Sequence, residues 1–258
     1  MRAATAGGRR LEGHRLDLGA QWLHVRTGRP IRRTGTPVLL VPGLVSSSRY
    51  LEPVGAELAR DRLVVAPDLP GTGRSPRADT PLSLTDLAGV LHRVMLRTTG
   101  PAIVVGNSFG CQTAVELAVR HPEAVTRLVL TSPVLAPRNR GLLPLTARFV
   151  AAMRRESPRY LAIMLVDVLR ASFRKERADL RALRTDRILR RAGDLTVPTL
   201  VVCGTRDPIV PPAFARRLAA RIPVGRYREI DATHALPYAA PRVLADLVRD
   251  ADGESSGG

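Results

Sequence analysis

Lysine is almost missing from this chain. Of its 40 basic side chains only Lys175 is a lysine, so arginine carries the positive charge. Cysteine is scarce too. Cys111 opens a helical pattern and Cys203 lies in a strand pattern, which gives no disulfide framework and reads as two small buried fillers. Aromatics are few, with four Phe, four Tyr and one Trp. With so few stacking platforms and no binding motif, the sequence argues against a nucleic-acid partner despite its high isoelectric point. No apolar run reaches the roughly 18 residues of a membrane span. The arginines of Met1 to Gly13 are followed by no apolar stretch, so no secretory signal is read and a cytoplasmic location is expected. Acids are outnumbered, and the net charge is +17. Between residues 137 and 191 there are 15 Arg plus Lys against 5 Asp plus Glu. Two accounts fit that excess: a genome-wide preference for arginine over lysine, or an anionic substrate or partner.

What is present is a globular chain. A length of 258 residues and 45% hydrophobic content suit one sizeable core. Residues 1–13 are Gly-, Ala- and Arg-rich and are expected to be disordered. Residues 14–18 and 21–26 alternate and predict a hairpin. The continuous apolar run at 37–41 predicts a strand buried on both faces, 62–66 and 102–105 predict further buried strands, and 126–131, 199–203 and 226–230 predict three more strands. Helical patterns lie between them at 50–60, 84–95, 109–120, 213–221 and 241–250. Ser83 reads as the N-cap of the second. From Val134 to about Leu195 strands give way to Leu-, Arg- and Ala-rich helical stretches broken by prolines. The expectation is an α/β fold: eight strands, mostly parallel, covered on both faces, with one helical insertion after the sixth strand.

The densest signal is Gly106-Asn107-Ser108-Phe109-Gly110, a G-x-S-x-G between the strand ending at Val105 and the helix starting at Phe109. A serine on so tight a strand-to-helix turn has a strained backbone, and its neighbours two residues away crowd each other. Glycines there remove the crowding side chains. The turn lifts the serine oxygen above the sheet edge and sets the Phe109 N–H at a helix N-terminus.

A serine hydroxyl is a poor nucleophile until a base takes its proton, and the base needs a third group to hold its tautomer. In an open parallel sheet such groups lie at the carboxyl ends of strands. Asp207 follows the seventh strand in Gly204-Thr205-Arg206-Asp207-Pro208. His234 follows the eighth in Asp231-Ala232-Thr233-His234-Ala235. Each has a plainer reading: a turn cap before Pro208, or a loop histidine. Asp231 is a rival acid, though close to His234 in sequence. Two oxyanion donors are expected, the N–H groups of Phe109 and of Leu44, which follows Gly43 after the third strand.

With these pieces in order, the chain resembles the α/β-hydrolase superfamily over residues 14–250. The matching segments are Val41-Pro42-Gly43-Leu44, Asp68-Leu69-Pro70-Gly71-Thr72-Gly73-Arg74-Ser75, Gly106 to Gly110, Gly204 to Pro211 and Thr233 to Pro237. The resemblance implies a core of residues 14–133 and 196–250, a helical lid at 134–195 and a flexible tail at 251–258. It makes Ser108 the nucleophile, His234 the base and Asp207 the orienting acid, and treats Asp68, Gly71 and Gly73 as structural. Family members usually carry His-Gly before the oxyanion residue, and here that position is Pro42. The implied activity is cleavage of an ester-type bond in a small or medium apolar molecule through an acyl-enzyme, with no metal or organic cofactor. Lid residues Leu142, Leu143, Phe149, Met153, Leu161, Met164 and Phe173 are candidates for an acyl pocket. Other readings stay open: a thioesterase acting on an anionic carrier, C–C hydrolase, lyase or perhydrolase chemistry with the same triad, and a non-catalytic ligand binder. The expected partner is a small molecule; a monomer and a homodimer are both open.

Overall fold

The computed structural model describes residues 10–19, 21–134, 142–171, 173–185 and 188–253, with the side chains of 142–146 and of parts of 173–185 set aside. Eight strands form one sheet in the order β1-β2-β4-β3-β5-β6-β7-β8. β1 (Glu12–Asp17) and β2 (Trp22–Gly28) are the expected antiparallel hairpin, and β2 also pairs antiparallel with β4 (Val64–Pro67). From β4 onward, through β3 (Val38–Val41), β5 (Ala102–Asn107), β6 (Val125–Thr131), β7 (Thr199–Gly204) and β8 (Gly225–Ile230), every pairing is parallel. β1 starts at Glu12 and Leu11 is buried, so regular structure begins earlier than the sequence suggests.

The central strands are apolar on both faces because both faces are covered. Leu39, Val41, Val104, Leu128, Leu130 and Val201 point to one side. That side is packed by α2 (Leu84–Arg97), α3 (Phe109–Arg120) and α8 (Pro212–Arg221). Val38, Leu40, Ile103, Val105, Val129 and Val202 point to the other. There the cover is α1 (Glu52–Leu58), α9 (Leu236–Ala239) and α10 (Pro241–Gly253). α2 begins where expected: Ser83 and Asp86 form a reciprocal capping box. The helix expected at 50–60 is two pieces, a 3₁₀ turn over Ser48–Leu51 and then α1, with Pro53 at the start of α1. Between β6 and β7 stand α4 (Leu142–Met153), α5 (Pro158–Arg170), α6 (Phe173–Thr185) and α7 (Ile188–Arg191).

The loop between β4 and α2 is organised around one buried carboxylate. Asp68 Oδ1 accepts the Ser48 N–H at 2.7 Å and the Ser48 hydroxyl at 2.6 Å. Its Oδ2 accepts the Arg74 N–H at 2.9 Å and His24 Nδ1 at 3.0 Å. Gly71 (φ 79°) and Gly73 (φ 54°) turn the chain in the left-handed region. This side chain thus ties β2, β4 and the turn before α1 together.

Candidate active site

Ser108 sits between β5 and α3 with φ 55° and ψ −120°, a conformation that L-residues hold only under constraint. The constraint is close packing. A Cβ on Gly106 would stand 2.7 Å from the Gly110 carbonyl oxygen, and one on Gly110 would stand 2.5 Å from that of Val41. Only glycine allows the turn at both ends.

Three residues expected from the sequence converge here. His234 Nε2 lies 3.0 Å from Ser108 Oγ, and His234 Nδ1 lies 2.8 Å from Asp207 Oδ2. An ionised carboxylate can only accept, so Nδ1 carries the imidazole proton and Nε2 is left to accept from the serine hydroxyl. Asp207 is buried, which pushes its carboxyl up. The electrostatic influence of the His234 ring and the hydrogen bond from its Nδ1–H, with the Ile209 N–H at 2.8 Å on Oδ1, outweigh burial and hold it below the usual carboxylate range. Asp231, the rival acid, is exposed and pairs with Arg206 at 2.7 Å.

The loop after β3 approaches the same serine. The Gly43 N–H is committed to Tyr50 Oη at 3.0 Å, and the Ser108 N–H to the Thr131 carbonyl at 3.0 Å. The next N–H group along the chain in each case is that of Leu44 and of Phe109. Both residues line the cavity that holds Ser108 and His234. Val45 has φ 62°, unusual for a β-branched side chain, so this loop is held in strain beside the serine.

Several contributors were not anticipated from the sequence. The Tyr50 hydroxyl donates to Asn107 Oδ1 at 3.0 Å. Asn107 Nδ2 reaches the Thr131 carbonyl at 3.2 Å and the His234 carbonyl at 3.4 Å. One chain of hydrogen bonds therefore joins the Gly43 loop, the serine turn and the histidine loop. The helical insertion adds two carboxylates. Glu156, buried between α4 and α5, accepts the Thr233 hydroxyl at 2.8 Å and the Ala235 N–H at 3.0 Å, gripping His234 from both sides. Asp167 on α5 accepts the Ser47 N–H and hydroxyl, both at 2.8 Å. Burial pushes the Asp167 carboxyl up, and the neighbouring Asp68 charge adds to it.

The cavity above Ser108 has a volume of about 270 Å³. Leu44, Val134, Phe149, Met164, Leu183 and Ile209 are among the residues lining it. Phe149 and Met164 thus stand where the sequence expected pocket residues. Met153 packs against the core and Leu161 faces outward, while the Leu142, Leu143 and Phe173 side chains lie outside the described residues. Away from this site, His92, His121 and Glu123 hold potential ligand atoms within 4.8 Å of one another at the far end of α3.

Residues 38–247 match the Alpha/beta hydrolase family. The chain belongs to that family. The RutD protein of Variovorax paradoxus, which bears the name of a carbamate hydrolase, is 32% identical over 72% of this chain and 79% of its own length. The RutD protein of Azorhizobium caulinodans, named likewise, is 27% identical over 87% of this chain and 94% of its own. Among solved structures, the enol-lactonase of Burkholderia xenovorans superimposes with a TM-score of 0.78. It is 24% identical, covers 92% of this chain and is covered over 99% of its own, a likeness of fold. The α/β-hydrolase fold expected from the sequence is thus the fold of the protein, and its relatives are named hydrolases. No helix among the described residues is long and apolar enough to cross a membrane.

Proposed function

We propose that this enzyme is a serine hydrolase that opens an ester-type carbonyl bond through an acyl-enzyme. The observation that carries the reading is the aligned pair of contacts from Ser108 Oγ through His234 to Asp207 at the floor of an apolar cavity. His234 takes the Ser108 proton as the oxygen attacks the carbonyl carbon. The N–H groups of Leu44 and Phe109 receive the developing oxyanion. His234 then protonates the leaving group, which departs, and next removes a proton from water as that water attacks the acyl-enzyme. Asp207 keeps the imidazole in the productive tautomer and offsets its charge once protonated.

The cavity supports a small or medium apolar acyl group. Its volume lies at the lower end of small-molecule pockets, and aliphatic and aromatic side chains dominate its walls. The names of the relatives agree with the class of bond: a carbamate and an enol-lactone each present a carbonyl bearing a heteroatom leaving group. The segment spanning α4 to α7 acts as the lid. Glu156 and Asp167 anchor it to the histidine loop and to the loop that presents Leu44.

The test is labelling and turnover together. A fluorophosphonate probe is expected to modify Ser108 in the wild type and to leave Ser108→Ala unlabelled. A panel of p-nitrophenyl esters and acyl thioesters of graded chain length should show ester turnover, with a short-to-medium acyl optimum, that vanishes in Ser108→Ala. A wild type that neither labels nor turns over any of them would sink the reading.

A further inference from the structure

Among the described residues ten large apolar side chains are exposed, and six of them lie on α4 and α5: Phe149, Val150, Leu161, Leu165, Val168 and Leu169. On α5 the buried positions are Tyr160, Met164 and Asp167, which face the core. The opposite positions should be polar on an ordinary surface helix. Instead Leu161, Leu165, Val168 and Leu169 are 36%, 60%, 53% and 76% exposed. Their spacing of i, i+4, i+7 and i+8 makes one continuous stripe along the helix. A helix that is apolar on both sides calls for a partner on both sides.

Charge says what kind of partner. From 147 to 171 the only acids are Glu156 and Asp167, and both are turned inward onto loops of the site. The basic residues of the same span, Arg148, Arg154, Arg155, Arg159 and Arg170, are all exposed. The outward charge of this span, the two helices and the turn between them, is therefore wholly positive. We propose that the outer face of α4 and α5 docks on an anionic lipid surface. The leucine stripe enters the acyl boundary, and the arginines extend their charged ends to the headgroups.

The face is also continuous with the cavity. Tyr160 and Met164 line the cavity from the inner side of α5, the same helix whose outer side carries the stripe. Phe149 lines the cavity while remaining 45% exposed, so it stands at an apolar mouth. Delivery of an acyl substrate through that mouth rests on the hydrolytic reading; the docking itself does not.

Co-sedimentation of the intact chain with phosphatidylcholine vesicles, and with vesicles also containing phosphatidylglycerol, tests the docking. The chain is expected to bind the anionic vesicles at low salt and to be released at high salt. Leu165→Ser/Leu169→Ser and Arg159→Glu/Arg170→Glu should each lower the partition coefficient by about tenfold or more. Turnover of a soluble short-chain ester and the melting temperature should stay at wild-type values in both. Ser108→Ala should bind vesicles like the wild type, which separates failure of the chemistry from failure of the docking. The proposal is overturned if anionic vesicles capture no protein at low salt, or if both double variants bind as well as the wild type. It is equally overturned if sedimentation velocity shows a dimer that Leu165→Ser/Leu169→Ser dissolves.

Discussion

At the scale of single residues, the histidine is the best-supported group of the site. Asp207 fixes its ring from one side, and Glu156 holds the residues on either side of it through the Thr233 hydroxyl and the Ala235 N–H. The two supports act differently, and kinetics should separate them. Asp207→Asn keeps the shape of the acid but supplies an amide that can donate to Nδ1, favouring the wrong tautomer. A loss of about 10⁴-fold in kcat with little change in KM is expected, measured with a soluble p-nitrophenyl ester. Glu156→Ala removes two acceptors and leaves the Thr233 hydroxyl and the Ala235 N–H in a buried place. Since each such bond to a charged group is worth about 1.5–3 kcal/mol, both the melting temperature and kcat should fall, kcat by about tenfold or more. Glu156→Gln retains an oxygen for the Ala235 N–H and should recover most of kcat. If Glu156→Ala melts lower but keeps wild-type kcat, Glu156 holds the fold but not the histidine.

At the scale of elements, the serine turn works because two backbones nearly touch. A methyl group on Gly110 would meet the Val41 and Pro42 carbonyl oxygens at 2.5 and 2.6 Å. Neither oxygen can readily withdraw, since Val41 ends β3 in the centre of the sheet and Pro42 follows it directly. Gly110→Ala should therefore cost about 3 kcal/mol or more, read as a lower urea midpoint at unchanged slope. That turn was legible in the sequence because its chemistry is local: glycine, serine and glycine within five residues, between a strand pattern and a helix pattern. The strands were legible for a related reason, as burial on both faces leaves unbroken apolar runs. Asp207 and His234 could be found because they directly follow strands whose ends share one edge. Glu156 and Asp167 could not. Their partners lie 77 to 120 residues away in the chain, and an acid in an arginine-rich helical segment reads as a solvated charge. α9 was also illegible, since four residues containing Pro237 carry no helical period, and the helix packs against α1, α10 and the 3₁₀ turn before α1.

For the molecule as a whole, the buried carboxylates set how stability varies with pH. Asp68 and Asp207 both lie below the usual range in the folded chain. At Asp68 burial works upward, and the bonds from His24, Ser48 and the Arg74 N–H overcome it. A carboxyl depressed by folding contributes stability that is present above its unfolded value, near 3.9, and lost as pH falls through the folded value. Asp167 has the opposite sign. Its folded value is raised, so it favours the folded state while protonated and withdraws that support as pH rises from the unfolded toward the folded value. Asp68→Asn and Asp167→Asn should then respond to pH in contrary ways. Asparagine at 68 loses an acceptor for donors drawn from β2, the turn before α1 and the loop after β4. Its penalty should be about 2–4 kcal/mol near neutral pH and should shrink as the wild-type carboxylate is protonated in acid. Asparagine at 167 imitates the protonated acid, so its penalty relative to wild type should be smaller near neutral pH than in acid. Urea unfolding of the three proteins at pH 7, near pH 4 and near pH 2.5 decides it, the upper interval reporting on Asp167 and the lower on Asp68: parallel pH dependence of both variants across the whole range would mean that at least one of the carboxylates does not titrate with folding as its surroundings require.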